Sequence, residues 1–180
     1  MPAISHAIRH TSRALVLCLA GLGLVATSMG ALPANAATGG QRTIEVSSNQ
    51  RLTAAARVNS RILTAKDTAL RQRGDAYAYG AAGPAAFDCS GLISYSYRRA
   101  GFTVPRTSGA LAGFTRRITK SNMRAGDLMF FSGRGGVYHA AIFLKWSRGH
   151  AVMVHSPGSG QRVRVAVPWT SSWFGGTLRR

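Results

Sequence analysis

Acidic side chains, cysteines and long apolar runs are all scarce in this sequence of 180 residues. No segment after residue 36 is long and apolar enough to form a transmembrane helix. The chain has two cysteines, Cys18 and Cys89, and only Cys89 lies after residue 36. If the first 36 residues are removed, no intramolecular disulfide is possible, and the fold must depend on packing alone.

The first 36 residues have the organisation of a secretory signal peptide. Arg9 and Arg13 give a positive amino-terminal region, residues 14–26 are apolar, and Ala34-Asn35-Ala36 fits the small-residue rule for cleavage. A leucine precedes Cys18, whereas a lipoprotein signal would need a small residue there. We therefore expect cleavage after Ala36 and export without a lipid anchor, to the extracellular space or the cell wall.

The 5 acidic residues stand against 23 Lys and Arg, which gives a formal net charge of +18. The signal peptide holds two of the basic residues and no acid, so the exported chain would carry +16 (21 minus 5). Most of these cations are arginines, whose planar guanidinium groups suit phosphate and carboxylate. Outside a bacterium this charge favours anionic wall polymers over nucleic acid, although solubility and genomic composition are an alternative explanation.

The remaining 144 residues (180 minus 36) are enough for one domain, which we expect to be monomeric. Residues 37–50 are small and polar and predict a flexible lead-in, and residues 51–180 form the domain. Apolar residues at three- and four-residue steps predict a helix from Arg51 to Arg73. A loop rich in Gly and Ala follows, and Asp88 is placed to cap a second helix from Cys89 to about Arg99.

Short apolar segments in the second half of the chain predict a sheet. At least four strands are expected, over Asp127–Phe131, His139–Trp146, Ala151–His155 and Arg162–Val167. Turn signals join neighbouring strands, and the Gly-rich run over residues 133–136 predicts a flexible loop. Helices followed by an antiparallel sheet indicate the α+β class.

Cys89 is a candidate nucleophile because the first turn of a helix favours a thiolate over a thiol. Two histidines lie on predicted strands downstream, with His139 opening one strand and His155 closing another. The order of cysteine, histidine and a second polar residue suits a papain-like site whose members meet in space. His150 is a third candidate, but it sits beside a turn.

These residues belong to a set of motifs that resembles the NlpC-type cysteine peptidases of bacterial cell walls. The motifs occur in the family's order and spacing over roughly residues 51–180: Tyr77-Ala78-Tyr79-Gly80, Asp88-Cys89-Ser90-Gly91, Pro105-Arg106-Thr107-Ser108, Ala125-Gly126-Asp127-Leu128, His139 and His155. The resemblance implies a papain-like fold with N-terminal helices packed on the sheet. It also implies a cofactor-independent endopeptidase that cleaves peptidoglycan stem peptides between D-glutamate and the following diamino acid.

The resemblance also implies roles for the residues of a Cys-His-His triad. Cys89 would attack the scissile carbonyl, His139 would take the thiol proton and later protonate the leaving amine, and His155 would orient His139. Tyr77 would help to stabilise the oxyanion.

Asp88 and Ser90 match family positions that bind the free amine of the substrate or shape the site, and helix capping is an alternative role for them. This chain also departs from the family, since Ala81 replaces a common second glycine and Tyr138 replaces a common Ser or Asp. A bulky Tyr138 would narrow the cleft.

Other functions remain open from the sequence. A metal site is disfavoured because the chain has none of the close ligand pairs, such as CxxC or HExxH, that zinc sites use. A catalytically silent binder of wall polyanions is one alternative function. An amidase or acyltransferase that uses the same cysteine and histidines is another.

Overall fold

The computed structural model describes residues 38–179, with side chains from residue 47 onward. The signal peptide predicted over residues 1–36 lies outside the described residues. Among the helices of this part of the chain, none is both long and apolar enough to cross a membrane.

The first helix, α1, runs from Thr38 to Arg71. It begins earlier than the helix predicted from Arg51, because residues 38–50 of the expected lead-in are also helical. Every side chain from residue 48 to residue 57 is exposed, so no buried face produces an apolar period there. The buried positions Ile62, Ala65 and Ala69 lie in the second half. Once packing has nucleated that half, adding further helical turns costs little free energy.

Four short elements connect α1 to the main sheet: β1 (Ala76–Tyr77), β2 (Ala86–Phe87), α2 (Cys89–Arg99) and α3 (Ser108–Phe114). Strands β1 and β2 form a separate parallel pair. Helix α2 begins at the predicted residue, and the side chain of Asp88 caps it by accepting a hydrogen bond from the backbone N–H of Gly91. The first turn of α2 is therefore fixed in place.

Six strands form the main sheet: β3 (Arg116–Ile118), β4 (Leu128–Gly133), β5 (Gly136–Ser147), β6 (His150–His155), β7 (Arg164–Ala166) and β8 (Trp173–Thr177). A 3₁₀ turn over Lys120–Asn122 lies between β3 and β4. The order is β3-β8-β4-β5-β6-β7, and all neighbours are antiparallel. The prediction of an α+β fold with an antiparallel sheet of at least four strands is confirmed.

Both faces of the sheet are buried, because successive side chains of a strand point to opposite sides. One face, which includes Phe130 and Ile142, packs in the same cluster as Ile62 of α1 and Leu92 of α2. The other face carries a second cluster: Met123, Met129, Phe131, Ala141, Phe143, Ala151, Met153 and Trp173. The sheet is thus a packed platform from which β5 and β6 present their side chains.

Two tight turns set the register of β4, β5 and β6. Gly133 pairs with Gly136, so the segment expected to be a flexible loop is instead a two-residue hairpin turn. Ser147 pairs with His150, and the two residues between them have positive φ values of 49° and 78°. This agrees with the predicted turn and with the left-handed backbone of a type I′ hairpin.

Strands β3 and β8 and helix α3 are not predicted from the sequence. The pattern of β8 is interrupted by Gly175 and Gly176, and glycine ordinarily weakens a strand. Both glycines are required by close packing, since a Cβ atom at Gly175 would collide with the sulfur of Met123 and one at Gly176 with the hydroxyl of Thr115. The strand therefore depends on tertiary contacts that local propensity does not reveal.

Candidate active site

The thiol of Cys89 lies at the N-terminal end of α2, on the wall of an open cavity of about 420 Å³. The backbone N–H of Ala140, the residue that follows His139 on β5, lies close enough to the Cys89 sulfur to lower the pKa of the thiol, which offsets part of the effect of burial. The side chain is partly exposed. The packing of α2 on β5 therefore brings a solvent-accessible thiol to the strand that carries the first histidine.

Asp88 and Arg106 form a bidentate ion pair beside the thiol. The two guanidinium nitrogens of Arg106 lie 2.9 and 2.6 Å from the two carboxylate oxygens of Asp88. Arg106 also donates to the Ser90 hydroxyl at 3.0 Å, and the backbone N–H of Gly80 donates to Asp88 at 2.9 Å. Burial alone would raise the pKa of Asp88, but the hydrogen bonds from Arg106 and the backbone lower it, so the carboxylate stays ionised.

His139 and His155 lie in direct contact on neighbouring strands. His139 Nε2 is 3.0 Å from His155 Nδ1, and the two ring planes are nearly perpendicular, at 88°. The pairing of β4 with β5 shifts by one residue beside His139, where Tyr138 is the extra residue of a bulge. The bulge sets the direction in which β5 presents its histidine.

An aromatic shell surrounds the two imidazoles. Trp169 stacks on Phe131 at 4.5 Å between ring centroids, and its centroid is 5.2 Å from that of His139 and 5.9 Å from that of His155. Phe131 pairs with His139 across the strands, and their rings meet edge to face at 5.4 Å. Little water reaches the histidines, which are only 5% and 2% exposed.

Burial governs the protonation of the site. It lowers the pKa of His139 to about 4, and together with the neighbouring His139 it lowers the pKa of His155 to about 3. Burial raises the pKa of Cys89, and the negative charge of Asp88 adds to that rise. These shifts favour a neutral thiol and neutral imidazoles in the resting site at pH 7, against the thiolate that the helix terminus alone predicts.

The contact between the histidines determines which tautomers catalysis would need. If His139 is to accept a proton at Nδ1, its neutral ring must carry hydrogen on Nε2 and donate it to His155 Nδ1. His155 then carries its own hydrogen on Nε2. That nitrogen is buried and has no hydrogen-bond partner among the described residues. An unpaired buried donor costs about 1–3 kcal/mol.

The other side of the cavity is formed by tyrosines and by the Arg106 segment. Tyr77, Tyr79 and Tyr138 all line it. Burial raises the pKa of Tyr77, and negative charge on Cys89, once it ionises, and on Asp88 adds to that rise, so the hydroxyl stays protonated and able to donate. Tyr138, which was expected to narrow the cleft, lines the cavity and is 55% exposed.

Of the six site residues expected from the sequence, four line the cavity: Tyr77, Asp88, Cys89 and Ser90. The other two, His139 and His155, form the buried pair on β5 and β6. His150 is exposed at the start of β6 and lines a different groove. Sequence reasoning missed Arg106 and Trp169 as parts of the site. Arg106 stands in a motif that was noticed, but nothing in the sequence pairs it with Asp88, and Trp169 belongs to a loop without periodicity.

Within residues 38–179, no group of three or more His, Cys, Asp or Glu side chains is placed to hold a metal ion. The described residues of the site offer a thiol, two imidazoles and hydroxyl or backbone donors. A helix-borne thiol beside a histidine with an orienting partner is the arrangement of papain-like cysteine peptidases.

The chain belongs to the NlpC/P60 family, whose model matches residues 74–179. One curated relative is the bifunctional muramidase/DL-endopeptidase CwlT of Bacillus subtilis, which is 38% identical over 101 residues. That alignment covers 54% of this chain and 30% of CwlT. Among the first curated relatives, the matched region is between 17% and 30% of their own length.

Solved structures of the family have the same fold. The peptidoglycan hydrolase RipB of Mycobacterium tuberculosis superposes with a TM-score of 0.60 at 25% identity, covering 69% of this chain and 68% of RipB. RipD of the same organism, described as a non-catalytic NlpC/p60 domain protein adapted to peptidoglycan binding, gives a TM-score of 0.55 at 26% identity. That superposition covers 65% of this chain and 97% of RipD. The family thus includes both hydrolases and binders.

Proposed function

We propose that this protein is an exported cysteine endopeptidase that hydrolyses peptidoglycan stem peptides with Cys89, His139 and His155. The observation that carries the proposal is a series of contacts that runs from the cavity-lining Cys89 to the buried histidine pair on β5 and β6. The backbone N–H of the residue that follows His139 acts on the Cys89 thiol, and His139 is itself hydrogen-bonded to His155. A silent binder would have no need for this chain of contacts.

In the first half of the reaction, the proton of the Cys89 thiol passes to Nδ1 of His139 as the sulfur attacks the scissile carbonyl carbon. The resulting imidazolium is stabilised by its Nε2–H bond to His155. Collapse of the tetrahedral intermediate breaks the C–N bond, and His139 returns the proton to the leaving amine. The product is a thioester on Cys89.

In the second half, His139 takes a proton from a water molecule that attacks the thioester. The C–S bond breaks, the acid product leaves, and the proton returns to the sulfur. In both halves the backbone N–H of Cys89, in the first turn of α2, and the hydroxyl of Tyr77 are the candidate donors to the oxyanion. Because the pKa of Tyr77 is raised, this donor keeps its proton.

The bond we propose is the one between D-glutamate and the diamino acid. Two points support it: the motif resemblance and the similarity to CwlT, which is named a DL-endopeptidase. The bidentate hold of Arg106 on Asp88 leaves the pair nearly neutral, and Ser90 is bound to the same guanidinium. We assign Asp88 and Ser90 to shaping this side of the cavity and to any contact with a free amine of the substrate.

Digestion of purified muropeptides of known composition tests the proposal. We expect fragments cut after D-glutamate, identified by mass, and their complete loss in Cys89→Ala. A Phe114→Ala variant, altered at an exposed ring outside the site, should cut at the normal rate. Intact muropeptides with the unaltered protein would contradict the proposal. Products released by cleavage of another bond, or by acyl transfer, would instead identify an amidase or acyltransferase.

A non-catalytic binder is the second candidate, favoured by the likeness to RipD and by the high positive charge. Its affinity for wall polymers should fall steeply as salt rises, because each neutralised anion releases a counterion. A peptidase would lose only its retention on the wall and would still cleave soluble muropeptides. Export, by the signal peptide proposed over residues 1–36, is common to both functions.

A further inference from the structure

A second groove lies beside the proposed catalytic site. It is lined by Trp146, Trp169 and Trp173, all the tryptophans of the chain, and has a volume of about 420 Å³. This is within the range of small-molecule sites, roughly 300–1,000 Å³. Trp169 is 56% exposed and Trp146 is 42% exposed. We call this feature the tryptophan groove.

The residues that line the tryptophan groove contact one another. The ammonium of Lys120 lies 4.3 Å from the ring centroid of Trp173 and donates a 2.7 Å hydrogen bond to the carbonyl of Ser171. The rings of Trp146 and Trp173 are 6.3 Å apart and inclined by 33°. The loop that carries Trp169 is thus tied to the segment between β3 and β4.

The chemistry of the lining narrows the kind of ligand. Although the chain carries 23 basic residues, Lys120 is the one formally charged residue among those that line the groove, and its ammonium is already engaged. A polyanion would find little attraction there. The rim nevertheless offers hydrogen-bonding groups from His150, Thr170 and Ser171. The groove therefore suits an uncharged ligand with apolar faces and polar edges, which describes a pyranose ring.

The position of the groove agrees with a sugar ligand. Trp169 lines the groove and its ring also packs against His139 and His155, so one side chain belongs both to the groove and to the shell around the proposed catalytic histidines. In the proposed substrate, the peptide that is cleaved is covalently attached to a glycan of N-acetylhexosamines. A sugar ring is thus a ligand expected next to the reacting peptide.

We propose that the tryptophan groove binds N-acetylhexosamine rings of the wall glycan through stacking on Trp146 and Trp169. The proposal rests on the proposed function for its choice of glycan, but sugar binding is measured without any cleavage. The two can therefore fail separately. An apolar peptide in the same groove is the competing occupant.

The test uses the full chain carrying Cys89→Ala and a β-1,4-linked N-acetylglucosamine tetramer as the probe. We expect saturable binding by calorimetry and a quenching or shift of tryptophan fluorescence. In Trp146→Ala the Kd should be at least tenfold higher. Val167→Asp, at an exposed residue of the same groove, provides a second variant that leaves the indole packing intact. Phe114→Ala is the control and should bind the sugar normally. No saturable binding, or equal Kd values in all variants, would overturn the proposal.

A kinetic comparison in protein that keeps Cys89 then distinguishes a sugar ligand from a peptide ligand. We expect Trp146→Ala to raise KM at least tenfold for a disaccharide-linked muropeptide relative to its KM for the free stem peptide. An equal rise for both substrates would assign the groove to the peptide and overturn the sugar proposal. If neither substrate is cleaved by the unaltered protein, the proposed function fails while the binding experiment still decides on the groove.

Discussion

The two walls of the candidate active site are built by opposite means. The helix wall, made of Cys89, Asp88 and Arg106, is polar and is held by charged hydrogen bonds of 2.6 to 2.9 Å. The strand wall, made of His139, His155, Phe131 and Trp169, is held by ring contacts and contains one hydrogen bond between side chains, that between the histidines. Directional bonds therefore position the thiol, while apolar packing positions its base.

The difference assigns separate tasks to the two walls. Hydrogen bonds keep Asp88 ionised next to the thiol, so its charge must be balanced by Arg106 rather than by proton uptake. Ring packing keeps water from the histidines and lowers their pKa values to about 4 and about 3. One wall tolerates a charge, and the other keeps its bases neutral until a proton is delivered to them.

Among changes to the strand wall, replacement of His155 should have the largest effect on the rate of cleavage. In His155→Leu nothing accepts the Nε2–H of His139, so the wrong tautomer of His139 becomes available, and we expect kcat to fall on the order of 10³-fold. His155→Gln restores a carbonyl acceptor and should recover at least tenfold of that loss. Stopped-time digestion of muropeptides measures both. Equal rates in the two variants would contradict the orienting role of His155.

Loss of Arg106 should break the helix wall with the largest effect on stability. Arg106→Leu leaves Asp88 buried without its cation, and we expect the free energy of unfolding to fall by about 3 kcal/mol in urea titrations. Arg106→Lys keeps the charge but loses the bidentate geometry, so its free energy of unfolding should lie between those of the unaltered protein and Arg106→Leu. A Leu variant as stable as the Lys variant would show that the charge of Asp88 needs no partner.

The two walls should lose their contributions to the free energy of unfolding in different pH ranges. The pKa of His139 is lowered from 6.5 to about 4, so the unfolded chain binds more protons between these values and stability falls as pH falls through that window. At pH 5 the loss from His139 is about 2 kcal/mol, with a similar contribution from His155. Folding lowers the pKa of Asp88 below its ordinary value of 3.8. The stability that this carboxylate contributes is therefore lost only below that value.

Urea titrations at pH 7, 5 and 4 measure this dependence, and His155→Gln serves as the control. That variant should lose less stability between pH 7 and pH 5 than the unaltered protein, because one of the two depressed histidines is absent. A stability that does not change over this range would mean that water reaches the imidazoles.

The sequence predicted the parts of this site that depend on local order, and it missed those that depend on distant contacts. The start of α2 at Cys89 follows from the capping residue Asp88, and the strand positions of His139 and His155 follow from apolar runs. The pairing of Asp88 with Arg106 joins residues 18 apart, and no local pattern reports it.

The two opposing effects on the pKa of the thiol show the same division. A helix terminus is visible in the sequence, and it favours a thiolate. The burial that raises the pKa of Cys89 comes from the cavity walls, and these form only when α2 packs on the sheet. Strand β8 shows the converse case, since its two glycines look unfavourable in the sequence but are required by close packing around Met123 and Thr115.

Trp169 offers a way to open the strand wall without removing either histidine. In Trp169→Ala, water gains access to both rings, and we expect the pKa of His139 to rise from about 4 toward its ordinary value of 6.5. Proton NMR titration of the imidazole Cε1 resonances measures the shift directly. Phe114→Ala, which alters an exposed ring elsewhere, should leave the titration unchanged.

The smallest expected effect concerns the reactivity of the resting thiol, where the two walls act together. Because burial and the charge of Asp88 raise the pKa of Cys89, little thiolate is present at pH 7. Alkylation by iodoacetamide should therefore be several-fold slower than for a free cysteine and should increase up to a pH above the ordinary thiol pKa. In Arg106→Leu the unbalanced charge of Asp88 should slow alkylation further, whereas Arg106→Lys should change it little. Fast alkylation with a midpoint below pH 7 would instead indicate a thiolate paired with a charged His139. The helix wall, rather than burial, would then control the protonation state of the thiol.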